Sequence, residues 1–377
     1  MTNPYVLITG DIVQTGGMDA ANYALTSYLA RSGADLHLVA YRVAPELIAY
    51  SNVTVHRVVK PANAYMLGGP VLAAAGLIHS RRLASRGARV IANGGNCPVR
   101  GVNWVHYVHA AYETPTAATG WRKTKHRVAH RLNTLAEKTA LRAAQVVIAN
   151  SERTRRQVID LVGVDPERTH TVYYGVDASK FRPHSPQERL AMRASLGWSL
   201  DIPRVVFIGG LGDRRKGFDT LFAAWQVLCR ESRWDANLVV IGAGTELSSF
   251  RARAKAAGIA GRIDFLGFRS DVPNLLAACD ALVSPTRYEA YGLGIHEALC
   301  CGLPAIVSAS SGIAERYPSA LRGLLLPDPE DVQDLAQRLR SWRGRTAELR
   351  ADVSSFGASL RSRSWDDMAR EIAGFCG

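Results

Sequence analysis

Short apolar runs alternate along the chain with longer stretches whose apolar side chains recur at helical spacing. That alternation predicts an α/β fold of parallel sheets with crossover helices. In the first half the strand-like runs are Tyr5–Ile8, Asp35–Ala40, Val53–Val58, Val90–Ala92, Asn103–Val108, Gln145–Ala149 and His170–Tyr174. Between the first two, Asp19–Arg31 reads as a helix with Ala24, Leu25, Tyr28 and Leu29 on one face. The polar, Pro-punctuated stretch Phe181–Pro186 reads as an interdomain linker. The alternation then restarts, with strands at Arg204–Ile208, Asn237–Ile241, Arg262–Phe265, Ala281–Ser284 and Pro304–Val307. Helices are expected at Pro186–Leu196, Phe218–Glu231, Glu246–Ala257, Val272–Ala278, Gly294–Cys301, Asp331–Trp342 and Ser364–Phe375. The reading is two Rossmann-like, doubly wound domains, over 1–180 and 181–360, with a last helix in 361–377. Ligands of such sheets bind beyond the carboxyl ends of the strands, so the cleft between the domains is the expected site.

Composition narrows the picture. A length of 377 residues suits two cores, and six cysteines without metal-ligand spacing read as small core residues in a reducing compartment. No Asp-x-Asp occurs, so no metal site is indicated, and nothing points to a cofactor. The formal net charge of +13 favours anionic partners, yet neither zinc-finger spacing nor an aromatic and basic RNA-binding pattern is present. Nucleic acid is therefore not expected. The basic residues thicken at Arg81, Arg82, Arg86 and Arg89 and again from Arg122 to Arg131. The longest apolar stretch, Met66–Ile78, is interrupted by Gly68, Gly69, Pro70 and Gly76 and falls short of the ~20 residues of a spanning helix. A cytoplasmic protein is expected, with peripheral contact on the inner face of an anionic membrane through Trp121–Arg131 and Met66–Ile78 as a sub-hypothesis. The same basic run is equally open to reading as a solvated helix or a groove for an acidic acceptor.

Two segments carry candidate chemistry. In Arg287–Leu299 two carboxylates, Glu289 and Glu297, stand eight residues apart with Gly292 and Gly294 between them. On one helix, eight steps of ~100° would leave them about 80° out of register. The glycines instead place Glu289 on a loop and Glu297 in the first turns of the next helix. The amides of Gly292, Leu293 and Gly294 would then converge on phosphate or sugar oxygens. Spacing alone leaves open two surface glutamates flanking a loop. In Phe207–Gly217 a strand runs into glycines and then Arg214, Arg215 and Lys216, cations suited to a diphosphate at the mouth of a sheet. The Gly-x4-Gly-Lys-Ser/Thr pattern of a P-loop is missing.

Together these segments resemble the retaining glycosyltransferases of family 4, whose two Rossmann-like domains form the GT-B architecture. The string Glu289-Ala-Tyr-Gly-Leu-Gly-Ile-His-Glu297 matches that family's Glu-x7-Glu motif, and Arg215-Lys216-Gly217 its Arg/Lys-Lys-Gly element. The resemblance implies hexosyl transfer without a metal, from a nucleotide-sugar donor to a carbohydrate, lipid-linked or small-molecule acceptor. It implies that Glu297 binds the donor ribose, that Glu289 lies beside the donor sugar, and that amides around Tyr291, Gly292 and Leu293 hold sugar and diphosphate. Arg215 and Lys216 would stabilise the departing phosphate, and Arg269 lies in the Phe265–Arg269 string where the base docks. Gly210 stands where the family often has Arg, which leaves Arg214 as a substitute from further along the loop. In the first half, Gly16 and Gly17 match the family's Gly-Gly loop at the donor phosphate, and His109 matches its active-site histidine. His106 reads as a core histidine. The final helix, at Ser364–Met368, is expected to pack back on the N-terminal domain. A sugar-nucleotide epimerase, a sugar phosphorylase and a noncatalytic nucleotide-sugar-binding protein share the architecture and are the rival readings.

Overall fold

The computed structural model describes residues 3–63, 65–113 and 120–377, and side chains except at 63, 65, 66 and 120–123. The Trp121, Arg122, Lys123 and Met66 parts of the membrane expectation thus lie outside the described side chains. The chain divides into two compact units, one made of Met1–Gly175 with Ser364–Gly377, the other of Val176–Arg363. The boundaries fall at Gly175 and Arg363, where the sequence reading had 180 and 360.

The N-terminal unit holds a parallel seven-stranded sheet: β1 Tyr5–Ile8, β2 Leu36–Ala40, β3 Val53–Arg57, β4 Arg89–Asn93, β5 Val102–Val105, β6 Val146–Ala149 and β7 Thr169–Thr171. Their order is 3-2-1-4-5-6-7. Chain direction across the sheet reverses beside β1, the kind of switch point at which ligands bind. Ile8 pairs with Ala92, Ala92 with Asn103, and Asn103 with Val147, so these positions share one face of the sheet. On that face the helix Tyr65–Leu83 packs through Leu72 on Val6, Ile8, Val90 and Ala92. Leu141, from the helix Gly120–Ala143, packs on Val105 and Val147 of the same face.

Tyr65–Leu83 corrects the reading of Met66–Ile78 as an interrupted run, because the helix continues for 19 residues. Gly76 interrupts nothing. A Cβ there would sit 2.9 Å from both Ile8 Cδ1 and Cys97 Sγ, so the absent side chain lets the helix lie close on β1. No described helix is long and apolar enough to cross a membrane.

The C-terminal segment joins this unit as the helix Trp365–Gly374. Its start is a capping box: Ser364 Oγ accepts the Asp367 N–H at 3.1 Å, and the Asp367 carboxylate accepts the Ser364 N–H at 2.9 Å. The helix packs on Gly17–Arg31 with Met368, Ala369 and Ile372 buried, and Arg31 Nη2 meets Asp366 Oδ1 at 2.6 Å.

The second unit repeats the plan with six parallel strands, β8 Arg204–Ile208, β9 Asn237–Ile241, β10 Ile263–Gly267, β11 Ala281–Ser284, β12 Ala305–Ser308 and β13 Leu325–Leu326. They are ordered 10-9-8-11-12-13, with helices in the connections. Strands β8, β9 and β11 are almost wholly buried aliphatic runs, as expected where both faces are covered. Asp280, just before β11, ties the lower edge together by accepting Arg189 and Arg193 at 2.6 Å each and the Arg204 N–H at 2.7 Å.

Candidate active site

In the C-terminal unit, β8 ends at Ile208 and the chain turns through Gly209–Asp213 into the short 3-10 turn Arg214–Lys216. Asp213 shapes that turn: Oδ1 accepts the Arg215 N–H at 3.1 Å, and Oδ2 accepts the Arg215 guanidinium at 3.0 and 3.2 Å. Gly217 follows with φ 70°, and a Cβ on it would lie 1.8 Å from the Pro285 carbonyl oxygen. Only glycine admits both the left-handed backbone and that contact. The loop after β8 is thereby pressed against the loop after β11, and Arg287 N–H completes the junction by donating to Arg215 O at 2.8 Å.

This junction brings Lys216 and Glu289 together, with Nζ 2.6 Å from Oε2 and both side chains about four-fifths covered. Burial works against the charge on Glu289, but Lys216 and Arg215 outweigh it and hold the carboxyl below its ordinary range. The backbone of Glu289 is fixed from the other side, its carbonyl accepting Gly312 N–H at 3.0 Å. Gly292 then caps the helix Leu293–Cys300 with φ 104°. Among the described residues, the N–H groups of Gly292, Leu293 and Gly294 have no protein acceptor, as the first amides of a helix do not. Glu297 sits in the second turn of the same helix. Among the described residues no donor reaches its partly exposed carboxylate, and burial pushes its pKa up to about 8.

Other expected residues go elsewhere. The Tyr291 side chain points into the core, where its hydroxyl is 2.8 Å from His296 Nδ1 and accepts from Arg316 at 3.2 Å, and its backbone carbonyl accepts the Ile313 N–H at 2.7 Å. The Arg214 guanidinium is half exposed and lies 4.0 Å from Glu246. Arg269 is engaged by Asp271, Nε donating to Oδ1 at 2.7 Å. Beside Arg269, at the carboxyl end of β10, the Phe268 ring stands 72% exposed.

In the N-terminal unit, Gly16 and Gly17 form the exposed start of the helix Gly17–Arg31. β5 stops at Val105, shorter than the expected Asn103–Val108, and His109 opens a 3-10 turn beyond it. Glu137, fully buried on the helix Gly120–Ala143, holds His109: its Oε1 accepts the His109 N–H at 2.8 Å and lies 3.2 Å from Nδ1. Its Oε2 accepts the Ala110 N–H at 3.2 Å. Sequence reading missed Glu137, although a lone acid among the bases of Arg122–Arg142 was the available signal. His106 is buried between Asn93, 2.9 Å from its Nε2, and the Tyr174 hydroxyl, and burial lowers its pKa to about 3. Among the described residues no cluster of three or more His, Cys, Asp or Glu could hold a metal ion.

Comparison with known proteins places these units. The family described as Glycosyltransferase Family 4 matches residues 15–180, and the one described as Glycosyl transferases group 1 matches residues 188–358. A D-inositol 3-phosphate glycosyltransferase of Thermomonospora curvata is 29% identical over 280 residues, 71% of this chain and 64% of that protein. One of Frankia alni is 30% identical over 244 residues, 61% of this chain and 59% of its own length. The matched stretches thus span less than two thirds of these relatives. Among solved structures, WaaG, a glycosyltransferase involved in lipopolysaccharide biosynthesis, superposes with a TM-score of 0.76 at 18% identity, covering 98% of each chain. HepE of Anabaena, solved with UDP and glucose, gives 0.74 at 20% identity over 99% of each chain. Two glycosyltransferase families account for nearly the whole stretch from residue 15 to residue 358, each over one Rossmann-like sheet, and the chain belongs to glycosyltransferase family 4, on the GT-B fold.

Proposed function

We propose that the protein transfers a hexose from a nucleotide sugar to a carbohydrate, lipid-linked or small-molecule acceptor, with retention at the anomeric carbon. The observation that carries this reading is the Lys216–Glu289 pair, set by the Gly217–Pro285 contact next to the open amides of Gly292–Gly294. Transfer requires that the bond from the anomeric carbon to the diphosphate break with its electrons leaving on the phosphate oxygen. Lys216, Arg215 and the helix amides supply fixed positive charge for that oxygen, and preorganised charge of this kind does more for the rate than any other device open to such a site. Glu289 answers the positive character that develops at the anomeric carbon. Glu297, without a protein partner among the described residues, is assigned to the ribose diol, and Phe268 and Arg269 to the base, where aromatic stacking is worth ~1–3 kcal/mol. From the N-terminal unit, Gly16 and Gly17 are assigned to the donor phosphate and His109 to the donor sugar. Arg214 is a reserve cation for the phosphate once freed from Glu246.

The test is a thermal-shift screen against UDP-, GDP-, ADP- and dTDP-sugars followed by a transfer assay. The named relatives and the ligands of HepE make UDP-glucose and D-inositol 3-phosphate the first pair to try. Saturation at ~100 times Kd stabilises the protein by about 2.7 kcal/mol, which one donor series should show. Turnover of donor without acceptor would instead favour the epimerase. Full transfer by a Lys216→Ala, Glu297→Ala double variant would end the proposal.

A further inference from the structure

The helix Gly120–Ala143 has two apolar sides. One carries Glu137, Ala140 and Leu141 and is buried in the N-terminal unit. The other carries Val128, Leu132 and Leu135, spaced four and three apart so that they form one stripe. At ~100° per residue this stripe lies nearly opposite the buried side. The helix Tyr65–Leu83 repeats the pattern with Leu67, Val71, Ala74 and Ile78, at spacings of four, three and four. The large members of both stripes are between 40% and 63% exposed. Single exposed leucines are ordinary, but two helix-period stripes in one layer are not. Both helices cover the same face of the seven-stranded sheet, as the register through Ile8, Ala92, Asn103 and Val147 requires.

Positive charge is concentrated in the same stretch of sequence. Residues 51–143 contain fourteen Lys and Arg but two carboxylates, Glu113 and Glu137, which places nearly all of the chain's +13 in this one segment. Glu137 is buried, so it screens nothing outside. Lys125, Arg127 and Arg131 flank the Val128–Leu135 stripe, and Arg127 and Arg131 are exposed. We propose that the outer side of this two-helix layer docks on an anionic lipid bilayer, the aliphatic stripes entering the acyl boundary and the cations meeting the headgroups. A second copy of the chain would bring the same surplus of positive charge against itself, and nucleic acid offers nothing for aliphatic side chains to enter. The surface is independent of sugar transfer, so either proposal can fail while the other stands.

Flotation of the full chain with phosphatidylcholine vesicles, with and without phosphatidylglycerol, tests it. Binding should require phosphatidylglycerol and weaken with salt. A Leu132→Ser, Leu135→Ser variant and a Lys125→Gln, Arg127→Gln, Arg131→Gln variant should each bind about tenfold less or weaker still. An unchanged melting temperature shows that the variants fold. Vesicle binding that ignores the serine substitutions would overturn the proposal by reducing it to charge adsorption. So would an absence of flotation, or a dimer in sedimentation that the serines dissociate.

Discussion

Glu137 and His109 are joined twice by one carboxylate oxygen, Oε1 accepting the backbone N–H at 2.8 Å and lying 3.2 Å from Nδ1. A buried acceptor at Nδ1 fixes that nitrogen as the donor and leaves Nε2 as the outer end of the ring, the end that the proposed function turns to the donor sugar. Glu137→Gln keeps the shape but loses an acceptor for Ala110. It should lower kcat by ~10- to 100-fold while KM moves little, as a misplaced reacting group does. The double variant with His109→Asn should be no slower than His109→Asn alone. Steady-state kinetics of the three variants decide the matter, and additive losses would show that Glu137 acts on the fold instead.

Removing the Lys216 ammonium by Lys216→Met takes away the cation nearest Glu289, the one that the proposed function sets against the departing phosphate. Loss of one such group costs about 10²–10³-fold in kcat. Glu289→Gln, which keeps the hydrogen bond but not the charge, should lose activity comparably while still binding nucleoside diphosphate. Calorimetry with the free nucleotide separates the two effects.

Glu297, with its pKa raised to about 8 in the free protein, is mostly protonated at neutral pH. A ribose diol donates to the ionised form, so nucleotide affinity should rise as pH increases from 6 towards 8 and level off above. Below 8 the slope approaches tenfold per unit, and binding at pH 7 should release a proton, measurable by calorimetry in two buffers. The stability sign is opposite. A carboxyl raised above its unfolded value favours the fold most below the unfolded pKa and loses that contribution as pH climbs through 8. Glu297→Gln should therefore melt higher than the parent at pH 9, by ~2–4 °C for each kcal/mol gained, while binding nucleotide less tightly. Equal melting curves at pH 9 would show that burial does not strain this carboxylate.

Gly217→Ala should damage the site without touching ligand, because its Cβ would collide with the Pro285 carbonyl oxygen. We expect destabilisation of about 1–3 kcal/mol and a fall in donor affinity, read from chemical denaturation and nucleotide titration. An unaltered affinity would mean that the loops after β8 and β11 need not touch.

Much of this molecule was legible in its sequence where both faces of a strand are buried. Tyr5–Ile8, Arg204–Ile208, Asn237–Ile241 and Ala281–Ser284 emerged at their observed limits, since continuous aliphatic runs leave little freedom. The helix Tyr65–Leu83 was obscured because close packing on Ile8 uses glycine, which reads locally as a break. Thr346–Arg361 was missed because its few buried positions are diluted by serine, alanine and arginine. Within the site, the loop position of Glu289 and the helix position of Glu297 followed from the intervening glycines. The partners of Arg269 and Arg214, and the buried acceptor behind His109, depend on side-chain directions that spacing does not encode.

Gly175 leaves room for no side chain, since a Cβ there would come within 2.1 Å of the Ser364 carbonyl oxygen. The unit that begins with the first strand therefore closes around residues 364–377, made after the whole of the second unit. Residues 176–363 thus interrupt the N-terminal unit, which is one fold built from two separated stretches of the chain. Loss of residues 364–377 would therefore strip the Gly17–Arg31 helix of its cover while leaving every residue of Val176–Arg363 in place.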